Sequence, residues 1–141
     1  MSEIPKIRVV AAVVVRGDGK ILCARRGNAK NPCVAWKWEF PGGKIEAGET
    51  PESALARELR EEMNFPVVVG KHLARVNHSY PSCEIEMDTF FCVPADACSM
   101  PELHEHVEIR WLAPEELPAL DWAEADKPVV YACTKKLSGS A

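Results

Sequence analysis

Apolar and polar positions follow different rhythms along this 141-residue chain. Ile7 to Val15, IRVVAAVVV, is an almost unbroken β-branched run, the pattern of a strand covered on both faces. The turn Gly17-Asp18-Gly19 ends it, and Lys20 to Arg26, KILCARR, reads as its hairpin partner. Gly27 to Pro32 is polar and rich in turn formers. Trp36 to Phe40, WKWEF, alternates and runs into Pro41-Gly42-Gly43, where the backbone can turn sharply.

The rhythm then changes. Leu55, Leu59 and Met63 recur every four residues, Thr50 is suited to cap a helix and Pro51 to its first position, so Thr50 to Met63 reads as a helix docked on a core. Val67 to Asn77 and Glu84 to Val93 read as two longer strands joined around Ser79-Tyr80-Pro81-Ser82. Pro94 to His106 is irregular, Val107 to Leu112 is a short strand, Pro114 to Leu117 suits one helical turn, and Asp126 to Leu137 reads as a closing helix with Pro128 in its first turn. The tail Ser138 to Ala141 is expected to be disordered. No repeat or linker interrupts 1–141, which is expected to form a single domain of α/β (α+β) class.

Composition narrows the function classes. Apolar content of 47% and charged content of 27% are ordinary for a soluble globular protein, and no apolar run approaches membrane-spanning length. MSEIPKIR lacks the form of a signal peptide, so a cytoplasmic location is expected, with no membrane partner. The net charge of −4 argues against binding a nucleic-acid backbone, yet it is compatible with a nucleotide if divalent cations neutralise both sides. The six cysteines include no C-x-x-C pair or zinc-spaced cluster and read as buried, reduced thiols.

Chemistry concentrates in Gly42 to Phe65, where six carboxylates and three cations share 24 residues. On the helix, Glu58, Glu61 and Glu62 fall within an arc of about 100° beside the apolar stripe. Three carboxylates so placed repel one another unless a cation lies between them, and hard oxygen ligands suit Mg²⁺ or Mn²⁺.

Read as a string, Gly43, five residues, Glu49, seven residues, then Arg57-Glu58-Leu59-x-Glu61-Glu62-x-Asn64-Phe65 resembles the Nudix box, G-x5-E-x7-R-E-U-x-E-E-x-G-U, with U an aliphatic or bulky apolar residue. The departure is Asn64, where that family usually has Gly. The helix must end there in a left-handed residue, and Asn is the best non-Gly choice, so a small stability cost is expected rather than lost activity.

The resemblance implies a Nudix-type α/β/α sandwich with a mixed β-sheet and a metal-dependent pyrophosphohydrolase. It implies Glu58 as the favoured base and a metal ligand, Glu61 and Glu62 as further ligands, and a carbonyl of the Gly42-Gly43 segment near the metal. Arg57 and Glu49 belong to the box as a charge pair that ties the loop to the helix. MutT-like sequences place one more carboxylate just before the last strand. Glu105 is the first candidate here, against Glu102 or Glu108, while His104 and His106 read as surface residues of a strand edge.

Arg26 matches a nucleotide-contacting arginine of MutT-like sequences, against a surface ion pair. Phe40-Pro41-Gly42-Gly43 and Asp126-Lys127-Pro128-Val129-Val130 look like that branch, which implies substrate contacts at Phe40 and a base reader at Asp126. Ionised, Asp126 would offer acceptors only and favour a base with an exocyclic amine, such as cytosine; its competing reading is a helix N-cap. Tyr80 and Trp122 are candidates to stack on the base, against core or lid packing.

The resulting expectation is conversion of an NTP or dNTP to the monophosphate and pyrophosphate by a monomer or homodimer. CTP or a modified dCTP comes first and 8-oxo-dGTP second. A dinucleotide or ADP-ribose hydrolase, which usually carries longer insertions, and a catalytically silent nucleotide-binding module are the rivals.

Overall fold

The computed structural model describes residues 4–138, so the expectation of a disordered tail lies, from residue 139 on, outside the described residues. Seven strands and two α-helices follow in the order β1 (Lys6–Val14), β2 (Ile21–Arg26), β3 (Trp38–Glu39), β4 (Gly42–Lys44), α1 (Pro51–Met63), β5 (Val67–Tyr80), β6 (Cys83–Pro94), β7 (His106–Leu112) and α2 (Lys127–Cys133). Short 3₁₀ turns cover Pro114–Ala119 and Glu124–Asp126, and a π turn, Thr134–Ser138, extends α2.

The strands form a mixed four-stranded sheet, β4-β1-β6-β5, and an antiparallel three-stranded sheet, β3-β2-β7. β1 is central as its composition requires. It pairs parallel to β6, with Lys6 opposite Glu84 and Val14 opposite Cys92, and antiparallel to β4 on its other edge.

Those two partners leave β1 no free edge, which overturns the expected β1–β2 hairpin. Only an isolated Val15–Ile21 bridge and the Arg16 N–H to Lys20 carbonyl bond (2.9 Å) join the turn, after which β2 leaves for the second sheet. The β5–β6 hairpin is longer than expected and turns on Pro81 and Ser82 alone. Trp36 lies outside β3, exposed and with a positive φ of 64°. The closing α-helix is shorter than Asp126 to Leu137.

Alternate residues of β1 feed two cores. Val10, Ala12 and Val14 pack with Leu55, Leu59 and Met63 of α1, whereas Ala11 and Val13 face the side of Val129, Val130 and Cys133 of α2. Helices therefore cover opposite faces, in the three-layer arrangement the sequence implied. Each fully buried Leu of α1 stabilises the fold by about 1.5–3 kcal/mol, which holds the carboxylate face of the helix in place.

Both ends of α1 are set by its own sequence. The Thr50 hydroxyl accepts the Ser53 N–H (3.1 Å) and the Ser53 hydroxyl accepts the Thr50 N–H (3.1 Å), a reciprocal cap with Pro51 at the first helical position. At the other end Asn64 adopts φ 47° and ψ 43°, the left-handed conformation expected of it.

Candidate functional site

β4 and α1 face each other across the site. A Cβ on Gly42 would overlap the Val10 carbonyl, and one on Gly43 would overlap the Glu58 carboxylate, so glycine lets the turn and the helix approach. Arg57 fastens the two. Its guanidinium grips Glu49 in a bidentate pair (Nε to Oε2 2.6 Å, Nη2 to Oε1 2.9 Å) and donates to the Lys44 carbonyl (3.1 Å), Glu58 (3.0 Å) and Glu61 (3.0 Å). The pair holds Glu49 below the usual carboxylate range and raises Arg57.

A cavity of about 440 Å³ opens between these elements. Glu58, Glu62 and Glu105 line it with the Gly42–Lys44 backbone, and Arg26, Glu39 and His106 close its far wall. Glu61 is not among the lining residues: its side chain is 62% exposed and turned onto Arg57. Of the three candidates, Glu105 alone reaches the cavity; Glu102 is bonded to Asn64 and His104, and Glu108, within β7, to Arg110.

Crowding of like charge is greatest at Glu62. Burial first, then a hydrogen bond and the charge of Glu58, then Glu105 and Glu39, push its carboxyl up to about 8. Such a group is short of a cation, and the hard oxygens of Glu58, Glu62, Glu105 and the Gly42–Lys44 carbonyls suit a divalent one. Among the described residues no three His, Cys, Asp or Glu side chains converge as a ready cage, because Glu58 and Glu61 are held by Arg57.

The sign of the Glu62 shift gives a test. The native state holds this proton more tightly than the unfolded chain, so stability without metal falls as pH rises from the ordinary carboxylate range toward about 8. A cation must displace the same proton. Mg²⁺ affinity of the substrate-free protein is expected to rise about tenfold per pH unit and level off above that value, by direct titration; a flat profile would mean Glu62 is already ionised.

A smaller cavity of about 150 Å³ shares Arg26, Glu39, Gly42 and Gly43 with the first and is mainly apolar, with Val34, Met87 and Tyr80 in its walls and Asp126 on its lining. Asp126 is 5% exposed, and its Oδ1 accepts the Phe40 N–H (3.0 Å). It does not cap α2: its backbone is right-handed helical and its side chain makes no cap bond. Burial, reinforced by Glu39, raises its pKa well above its ordinary value and so favours the protonated form, which carries a donor beside an acceptor.

Phe40 and Trp122 stack on each other (4.6 Å between centroids), each 3% exposed, and the Trp122 indole N–H donates to the Leu117 carbonyl (2.7 Å). Neither is among the residues that line the two cavities just described. Tyr80 is buried as well; its hydroxyl accepts the Ala125 N–H (3.1 Å) while its ring walls the smaller cavity.

One residue went unread in the sequence, Glu39, and another, His106, was misplaced. Glu39 borders both cavities, receiving Arg26 Nη1 (3.4 Å) and contacting His106 Nε2 (2.8 Å). His106, expected at the surface, is buried, and its Nδ1 is a buried side-chain polar atom without a partner. A signal did exist for Glu39: it is the one carboxylate in an alternating aromatic run, WKWEF, that leads into the glycine turn. Another cavity, about 720 Å³ beside Trp111 and Met100, is lined by a single carboxylate, Asp18, already paired with Arg16.

Helices cover two sheets, and a carboxylate-bearing helix is set against a glycine turn with an apolar recess alongside. The chain belongs to the NUDIX domain family, whose model matches residues 5–133. It is 39% identical over 126 residues to the CTP pyrophosphohydrolase of Escherichia coli strain K12, covering 89% of this chain and 90% of that one. It is 34% identical over 137 residues to the putative 8-oxo-dGTP diphosphatase 2 of Mycobacterium tuberculosis, covering 94% and 92%. The fold matches the crystal structure of a MutT protein from Methanosarcina mazei Go1 with a TM-score of 0.84 over the whole of both chains, at 24% identity.

Proposed function

We propose that this chain, as a single cytoplasmic domain and a monomer or homodimer, hydrolyses a nucleoside triphosphate to the monophosphate and pyrophosphate. The observation that carries the reading is the junction of a carboxylate-lined cavity with an apolar recess that ends at Asp126. Phosphates fit the first, near the cations Arg26 and Lys44; a base fits the second. Glu58, Glu62 and Glu105, with a Gly42 carbonyl, would hold Mg²⁺ or Mn²⁺, joined by Glu61 if it leaves Arg57. The bound ion would neutralise phosphate charge. Glu58 takes a proton from the attacking water as its oxygen bonds to the β-phosphorus and the bond from that phosphorus to the α–β bridging oxygen breaks, so that the monophosphate leaves; Arg57 and Glu49 keep the carboxylate in place.

At the base end, Asp126 is the reader, and the stacked Phe40 and Trp122 support it, with Phe40 presenting its N–H to the carboxylate. A neutral Asp126 offers a donor and an acceptor side by side. Cytosine N3 and N4 match that pair, and so do O6 and N1 of a guanine. Cytosine nucleotides therefore remain the first choice on the strength of the relative named CTP pyrophosphohydrolase, with 8-oxo-dGTP the second reading on the strength of the relatives named 8-oxo-dGTP diphosphatase.

Pyrophosphate release with Mg²⁺ is to be measured for CTP, dCTP, 5-methyl-dCTP, 8-oxo-dGTP, dGTP and ADP-ribose. Cytosine nucleotides are expected to lead; turnover of ADP-ribose alone would sink the reading, and silence throughout, with Mn²⁺ also tried, would make the chain a binding module. Asp126→Asn keeps a donor beside an acceptor, so the substrate order is expected to survive near neutral pH. It also removes a group whose raised pKa penalises folding as pH rises, so Tm should gain more at pH 8 than at pH 5. A reversed substrate order would show that Asp126 binds the base ionised.

A further inference from the structure

Glu105 reaches the carboxylate cavity from a segment with no regular structure of its own. Between the end of β6 at Pro94 and the start of β7 at His106, the chain forms neither helix nor strand. Glu105 is exposed, and no hydrogen bond or ion pair of its own fixes it. Its position is set by its neighbours. On one side stands His106, buried and bonded to Glu39. On the other, three residues earlier, stands Glu102.

Glu102 is fastened to the end of α1 twice. Its N–H donates to the Met63 carbonyl (2.8 Å), and its Oε2 accepts the side-chain amide of Asn64 (2.9 Å). Its other oxygen meets His104 Nε2 (3.0 Å), which closes the turn leading to Glu105. The left-handed backbone of Asn64 is what places that amide beyond the last turn of the helix, where the segment crosses. A glycine could adopt the backbone angles more easily but would carry nothing to reach Glu102.

We propose that Asn64 is a positioning residue: its amide ties the segment bearing Glu105 to the helix bearing Glu58 and Glu62, so that the last carboxylate is preset against the other two. The proposal rests on the reading of these carboxylates as one site. A carboxylate on an untied segment must be ordered each time it is used, whereas a tied one has already lost that freedom.

Asn64→Gly is the decisive variant because it keeps, and eases, the left-handed backbone. In protein free of metal and substrate, amide hydrogen exchange at 103–106 is expected to quicken between about twofold and tenfold, the range of one exposed hydrogen bond. Mn²⁺ binding by the substrate-free protein should weaken by a similar factor, with Tm unchanged or higher. Glu102→Ala should reproduce the exchange effect, the double variant should be no worse than either single one, and Glu102→Gln, which still presents an acceptor to Asn64, should keep most of the protection. Exchange in Asn64→Gly equal to that of the parent would overturn the proposal and leave Asn64 as a helix terminator only. The exchange readout needs no turnover, so it stands apart from any failure of the hydrolase reading; additive effects of the two single variants would likewise sink the tie.

Discussion

Glu58→Gln is expected to lower kcat by about a thousandfold, within the range of a lost general base, while far-UV circular dichroism and Tm stay at parental values. The side chain is 13% exposed, lies over Gly43 and accepts from Arg57 Nη1, a bond that the Gln carbonyl oxygen can keep. The shape of the site therefore survives, and what goes is the charge that accepts the proton and helps to hold the cation. Removing one charge from the crowded group also relieves Glu62, so stability has no reason to fall. Activity within a fewfold of the parent would mean that another group takes the proton from water.

Gly43→Ala is the companion variant, and it leaves every charge in place. The added methyl occupies the space of the Glu58 carboxylate, which is the movable end of a side chain, so the backbone holds and Glu58 shifts. A displacement of about 1 Å at a reacting group costs about a hundredfold in rate. The expected result is that loss in kcat with a much smaller change in KM. Glu58→Gln combined with Gly43→Ala should fall little below Glu58→Gln alone, because both changes remove the same function. A double variant at the product of the two single losses would show that Gly43 serves something other than Glu58. Gly42→Ala is the contrasting case: its methyl meets the backbone of β1, so the fold, not the rate, takes the damage.

What was legible in the sequence is what one helix and its neighbouring turn encode locally. The capping pair at Thr50, the left-handed Asn64, the Arg57–Glu49 pair and the shared face of Glu58 and Glu62 all follow from spacings of a few residues. Glu105 was singled out because MutT-like sequences place a carboxylate directly before this strand, and it lines the cavity.

What stayed hidden depends on partners far along the chain. Phe40 meets Asp126 across 86 residues and His106 meets Glu39 across 67, and no periodicity announces either contact. The surroundings of Asp126 were hidden for the same reason: Phe40 and Glu39 stand beside it in the fold, and its own stretch of sequence reveals neither. β2 was assigned to the wrong sheet because a tight turn predicts adjacency in sequence but cannot report that β4 and β6 already hold both edges of β1.

The parallel pairing of β1 with β6 also dictates the order in which the molecule assembles. The β5–β6 hairpin closes over two residues and α1 caps itself, so both can form from local contacts. β1, the most apolar run of the chain, meets β4 on one edge after a short span, but its other edge finds a partner only in β6, where the register runs to Val14 against Cys92. Until β6 has formed, that edge of an apolar strand stays open, and an open apolar edge is where aggregation starts.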